Sequence, residues 1–181
     1  LSQSLDPSKI EIFRLSESHD TSKFSCGQAD LDTFIQKEAL DFQKEALGIT
    51  HLFYYDNKLV GFVTLSMADI RKKILPDGIS PDISIKNNPA LLIGRLGVTK
   101  EKQGRKIGTF ICNWSRAKAL TNLEWIGCRF LIVDAKPDTT IFYKKCGFTM
   151  LPDQDDKKLK IMINCIINDA QSYRSLTLNL R

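Results

Sequence analysis

The 181-residue chain has no apolar run long enough to cross a bilayer; its longest are the length of a β-strand. Its first six residues supply neither a basic segment nor an apolar one, so no secretory leader is expected. Histidine is almost absent, with only His19 and His51. The five cysteines, Cys26, Cys112, Cys128, Cys146 and Cys165, are widely spaced, odd in number and free of any CxxC pair. Those counts argue against a zinc site, so no metal is expected, and against a disulfide framework. They fit reduced, mostly buried thiols in a cytoplasmic protein. Two nucleotide signatures are also missing: no Gly-Lys-Ser/Thr closes a loop of Walker spacing, and no GxGxxG follows a strand. No internal repeat is visible in the sequence, and a single core is expected. A chain of this length, 43% apolar and 26% charged, suits one domain.

What the chain does contain is an alternation of strand and helix patterns. Residues 10–15 alternate like a first strand. Ser25 and Gln28 have the spacing of a capping box, and Leu31, Phe34, Ile35, Ala39 and Phe42 recur at helical intervals toward Gly48, which suits a helix end. Residues 51–55 and 58–65, joined by Asp56-Asn57, predict a β-hairpin. Residues 69–89 hold three prolines and little periodicity; that is long for a loop, so the segment is expected to be functional or folded into short elements. A buried strand is expected over 90–98, and after it a helix with the stripe Ile107, Phe110, Ile111, Trp114 and Ala117. A strand follows at 129–134, and Pro137 suits the start of a short helix ending at Cys146-Gly147, with a strand from Phe148. Leu159, Ile161, Ile163, Cys165 and Ile167 alternate like a last strand with one buried face. The order implies one α/β domain with a mixed sheet over 10–167, a flexible N-terminus at 1–9, and a C-terminal tail at 168–181 whose structure is left open.

Between the strand at 90–98 and its helix lies Gln103-Gly104-Arg105-Lys106-Ile107-Gly108-Thr109. Glycines and cations at such a junction expose backbone N–H groups at the positive end of a helix, where an anion, usually a pyrophosphate, can be held. A basic helix start with two glycines is also what a plain tight turn requires. Farther on, Phe142-Tyr143-Lys144-Lys145-Cys146-Gly147-Phe148 reads as a helix end with glycine at C′, and a lone tyrosine there is commonly a core residue. Taken in this order, the two segments resemble the GNAT superfamily of N-acetyltransferases. Its pattern is a Gln/Arg-x-x-Gly-x-Gly/Ala loop, then a helix, a strand and a helix carrying Phe/Leu-Tyr-x-x-x-Gly-Phe. Gln103, Gly108, Tyr143, Gly147 and Phe148 match, whereas Lys106 stands where the loop has its first glycine. Phe24-Ser25-Cys26-Gly27, Leu31, Asp32, Phe34 and residues 59–66 and 92–98 are similar to one branch. That branch is the toxin-type acetyltransferases that modify the α-amino group of aminoacyl-tRNA.

The resemblance implies a single-domain GNAT fold, a mixed and mostly antiparallel sheet flanked by helices, with acetyl-CoA as co-substrate. Leu96, Gly97 and Val98 would meet the pantetheine arm through their backbones. Gln103, Gly104, Arg105, Lys106, Ile107, Gly108 and Thr109 would hold the pyrophosphate, Lys106 narrowing backbone access while adding an ammonium. Tyr143 would be the general acid toward the CoA sulfur, because a phenol with a reference pKa of about 10 stays protonated near neutrality. Many family members carry a glutamate on the strand before the loop. Here no Asp or Glu lies between Asp82 and Glu101, and the strand offers Arg95 instead. A lysine acceptor, with a pKa near about 10.4, would need deprotonating, whereas an α-amine at about 7.7–8.0 needs less help. The missing carboxylate leans toward an α-amine on an anionic carrier, with Arg95 binding the acceptor; a water relay from a distant carboxylate such as Asp69 would undo that lean. A formal charge of +5 suits CoA and RNA alike. The partners implied are acetyl-CoA, an amine acceptor that in the toxin branch is aminoacyl-tRNA, and an antitoxin, with no membrane; a homodimer is left open. The competing readings are a small amine or a protein N-terminus as acceptor, and a non-catalytic CoA-binding module.

Overall fold

The computed structural model of the chain describes residues 5–79, 82–152, 154 and 158–166. In chain order it contains β1 (Ile10–Arg14), α1 (Ala29–Thr33), α2 (Ala39–Lys44), β2 (Ile49–Tyr55), β3 (Lys58–Arg71), β4 (Asn87–Val98), α3 (Ile107–Asn122), β5 (Phe130–Ala135), α4 (Thr140–Lys145), β6 (Thr149–Met150) and β7 (Lys160–Cys165). The strands form one seven-stranded sheet in the order β1-β2-β3-β4-β5-β7-β6. Pairing is antiparallel for β1 with β2, β2 with β3, β5 with β7 and β6 with β7. This is the mixed, mostly antiparallel α/β architecture expected. The chain divides into two compact units, the described parts of Leu1–Ser66 with Ile93–Cys112, and of Met67–Leu92 with Asn113–Arg181. No described helix is long and apolar enough to cross a membrane.

The first unit is built on the hairpin of β2 and β3. Asp56 (φ 50) and Asn57 (φ 57) are both left-handed. That is the two-residue turn whose twist matches antiparallel strands, and short polar side chains tolerate it best. Thr50 and Thr64 face each other across the ladder, their buried hydroxyls 2.8 Å apart, so each satisfies the other. Leu15, Phe24, Phe34, Ile35, Leu52 and Phe62 form the core of this unit. In the second unit Ile70, Ala90, Phe130, Ile132, Leu151 and Ile163 form a core cluster of their own, where the sequence predicts a single core.

Four local expectations need correction. The Ser25–Gln28 capping box does not form: α1 starts at Ala29, and the Gln28 side chain makes no cap bond. Instead the Asp32 carboxylate accepts from the Ser25 hydroxyl at 2.8 Å and the Cys26 amide at 2.7 Å, because an ionised acceptor outcompetes a neutral one. The helix predicted to run to Gly48 carries a π-helical turn at Phe34–Glu38 and ends at Lys44, with Ala46 (φ 56) as its left-handed residue. The α3 stripe is rotated: Ile107, Ile111, Cys112, Ser115 and Ala119 are buried and Ala117 is exposed. The buried row is 107-111-115-119, whereas the stripe expected through Phe110, Trp114 and Ala117 is partly or fully exposed. Finally, β7 is covered on both faces. Met162 and Asn164, on the face read as exposed, are buried beside Ile163, since β7 lies inside the sheet between β5 and β6, whereas Leu159 is exposed. Ile167 lies outside the described residues. The segment at 69–89 is partly strand, β3 running on to Arg71 and β4 starting at Asn87, with a 3-10 turn at Lys72–Ile74.

The Asp32 clamp has a pH signature. Burial opposes its ionisation, but hydrogen bonds from Cys26 and Ser25 outweigh burial and hold the carboxyl below its ordinary value. The folded-state pKa being the lower one, the contribution is complete above about pH 4 and is lost as pH falls through the folded value. Asp32→Asn is therefore expected to lower the melting temperature at pH 7, with the gap from the unsubstituted protein closing on acidification. A gap of equal size at pH 3 and pH 7 would contradict the ionic clamp.

Candidate functional site

In the first unit the end of β4 and the following loop are fixed by close approach. A Cβ at Gly97 would lie 2.6 Å from the ring of Phe62, which is itself fully buried, so only glycine fits between Leu96 and Val98. The Thr99 amide donates to the Val60 carbonyl at 2.9 Å and the Lys100 amide to Ser25 at 3.0 Å, tying the loop entrance to β3 and to the clamp at Asp32. Gln103 turns inward: its Nε2 donates to the carbonyls of Cys26 at 2.8 Å and Val98 at 3.1 Å. Both amide hydrogens are used, so Gln103 shapes the loop with its side chain and has its backbone to offer a ligand.

Gly104 (φ 74) and Lys106 (φ 64) are left-handed. Alternating left-handed residues of this kind turn backbone N–H groups toward a common side and form anion-binding concavities. The position where the GNAT pattern has a glycine is thus occupied by a lysine in the conformation glycine takes freely, at a cost of about 1–2 kcal/mol. Ile107 is buried and anchors the start of α3, whose first turn, with Gly108 and Thr109, contains no acidic residue. Beside it a cavity of about 240 Å³ is lined by Leu5, Pro7, Ile10, Arg105, Lys106, Ile107 and Phe110.

Arg95, half-buried on β4, lies with its guanidinium carbon 3.9 Å from the centroid of the Phe34 ring and 5.1 Å from that of Phe42. No carboxylate among the described residues pairs with it. Two aromatic faces orient the cation without neutralising it. The contribution of Phe34 and Phe42 was hidden in the sequence because their helical spacing marks them as core. A π-turn begins at Phe34. Cys26, beside the loop, is no nucleophile: burial first, and the Asp32 carboxylate next, push its thiol up to about 11.

In the second unit Tyr143 sits in α4 and is 7% exposed. Phe142 and Phe148 pack edge-on against its ring, with centroids 4.9 and 5.6 Å away. The helix closes behind it as the sequence suggests. Gly147 (φ 83) is the left-handed residue, its amide donates to the Lys144 carbonyl, and the Phe148 amide donates to the Tyr143 carbonyl at 3.0 Å. A phenol held this way is confined on two sides by aromatic rings and has few rotamers open to it.

Comparison with known proteins gives this geometry a context. Residues 47–150 match the family model for the acetyltransferase (GNAT) domain. The tRNA-acetylating toxin of Mycobacterium tuberculosis (strain ATCC 25618 / H37Rv) is 26% identical over 140 residues, 77% of this chain and 84% of that protein. AtaT complexed with acetyl-methionyl-tRNAfMet is similar in structure with a TM-score of 0.80 at 19% identity, covering 91% of this chain and 99% of that one. A tyrosine-to-phenylalanine mutant of the AtaT toxin, bound to the C-terminus of the antitoxin AtaR and acetyl-CoA, has a TM-score of 0.72 at 18% identity over 93% and 98% of the two chains. The solved structures share the fold, and the family match spans more than half of the sequence: the chain belongs to the GNAT acetyltransferases and is an N-acetyltransferase.

Proposed function

We propose that the protein transfers the acetyl group of acetyl-CoA to the α-amine of aminoacyl-tRNA, that residues 10–167 carry this activity, and that an antitoxin is among its partners. The observation that carries the acceptor is Arg95, a half-buried cation held on two aromatic rings with no carboxylate among the described residues to neutralise it, on a strand without Asp or Glu. Such a group suits an anionic carrier and an amine that needs little deprotonation. The likeness to the tRNA-acetylating toxin and to AtaT supports the same choice.

The residues present fit acetyl-CoA. The left-handed pair Gly104 and Lys106, the acid-free first turn of α3 and the cations Arg105 and Lys106 suit a pyrophosphate. Acetyl-CoA supplies the thioester that an amine opens directly, with a thiolate leaving. In this reading the loop residues 103–109 bind the pyrophosphate through backbone N–H groups and the Lys106 ammonium, and Leu96, Gly97 and Val98 orient the pantetheine arm. Arg95 holds the phosphate backbone of the acceptor, and Tyr143 delivers its phenolic proton to the departing sulfur. The strain at Lys106 is retained because its ammonium serves the anion there.

The test is the salt dependence and the effect of Arg95→Ala. Acetylation of charged tRNA is expected to weaken at least about 10-fold as salt rises from roughly 50 to 200 mM, through counterion release. Arg95→Ala should raise the KM for charged tRNA while leaving the acetyl-CoA Kd nearly unchanged. Ready acetylation of small amines, with no transfer to charged tRNA at low salt, would replace this acceptor with a small-amine one.

A further inference from the structure

Asn164, on β7, is 7% exposed. Its Nδ2 donates to the Gly147 carbonyl at 2.7 Å, while its Oδ1 is buried without a hydrogen-bond partner among the described residues. A buried amide with one half unused is unfavourable relative to an aliphatic side chain of similar size. The donor half is therefore what the site gains. Rotating the amide would set two oxygens against each other, so the Gly147 carbonyl fixes its direction.

That carbonyl belongs to the left-handed residue that closes α4, and a Cβ at Gly147 would lie 3.2 Å from the Asn164 Nδ2. One residue on, Phe148 donates its amide to the Tyr143 carbonyl and packs its ring against Tyr143. A continuous path thus runs from Asn164 through Gly147 and Phe148 to Tyr143. The helix α4 has six residues, too few to hold its own direction in isolation. By contrast, β7 is pinned to β5 over six residue pairs, with Asn164 opposite Leu131.

We propose that Asn164 is a positioning residue for Tyr143: from the fixed strand it holds the Gly147 carbonyl, and through the closing turn of α4 it keeps the Tyr143 phenol in one direction. The proposal rests on the reading of Tyr143 as the general acid. Asn164→Leu removes the donor with an apolar side chain of similar volume, and Asn164→Ala removes it with a smaller one. Each is measured alone and combined with Tyr143→Phe, using acetyl-CoA and whichever acceptor, bulk charged tRNA or a panel of small amines, the unsubstituted protein acetylates. The single variants are expected to lose kcat roughly 10-fold, with the KM for acetyl-CoA within about twofold. The double variants are expected to be no slower than Tyr143→Phe alone, since a misdirected hydroxyl costs nothing once the hydroxyl is gone. Losses that multiply in the double variants, an unchanged kcat in the single ones, or loss of the folded state in both would overturn the proposal. A Tyr143→Phe protein with full activity would instead remove the general-acid reading beneath it.

Discussion

A Tyr143→Phe protein is expected to bind acetyl-CoA as tightly as the unsubstituted chain and to turn over on the order of 100-fold more slowly, the scale of a lost general acid. The substitution keeps the ring and its edge-on packing. Phe142 and Phe148 contact the aromatic faces and edges of residue 143, and phenylalanine keeps both contacts and the buried volume. Removing one hydroxyl from a buried ring costs about 1–2 kcal/mol of stability, too little to unfold a domain of this size. What is lost is a proton donor of reference pKa about 10, for a thiolate that must otherwise leave unprotonated or take its proton from water. The defect should appear in kcat and kcat/KM together, as for a group that acts only in the transition state. Steady-state thiol release checks it, and an unchanged kcat would show that the sulfur leaves without this residue.

Gly108→Glu should separate fold from cofactor binding in the opposite direction. A carboxylate in the first turn of α3 is favourable for the helix itself, since it lies at the positive end, and glutamate is a better helix former than glycine. The same charge opposes a pyrophosphate seated on that helix end. Two like charges about 5 Å apart at an effective dielectric of about 20 repel by roughly 3 kcal/mol. Even after screening at a half-exposed position, the acetyl-CoA Kd should rise on the order of 100-fold. Calorimetric titration checks the affinity and thermal unfolding checks the fold. An intact variant that binds acetyl-CoA as before would show that the loop is only a tight turn.

Much of this arrangement is legible in the sequence, and the reasons differ by element. The Asp56-Asn57 turn could be read because left-handed residues have strong chemical preferences, and both residues adopt that conformation. The order of loop, helix, strand and Tyr143 helix could be read because Gly147 and Pro137 punctuate it. Burial on both faces of β7 could not. Period-two alternation identifies a strand, but whether its second face is covered depends on neighbours distant in sequence, and Asn164 on that face looked like an ordinary solvent residue. The capping box failed for a similar reason: Ser25 and Gln28 have the right spacing, but Asp32, four residues beyond Gln28, is the stronger acceptor. Lys106 reads in the sequence as a departure that narrows backbone access while adding an ammonium; that its backbone keeps the conformation suited to glycine, so that a lysine bears the strain, is visible only in the structure. For Arg95 the sequence showed a cation in place of a carboxylate, but not that two aromatic rings hold it in place.

The central claim is tested most directly by the chemical identity of the product. Bulk tRNA, charged and in parallel deacylated, is incubated with the protein and acetyl-CoA at low salt; the ester bonds are then hydrolysed and the released amino acids are weighed by mass spectrometry. Transfer to the α-amine of aminoacyl-tRNA predicts N-acetylated amino acids from the charged sample only, each heavier by one acetyl group, with release of one thiol per acetyl transferred. Unmodified amino acids from charged tRNA, in a protein that consumes acetyl-CoA with a small amine, would contradict it.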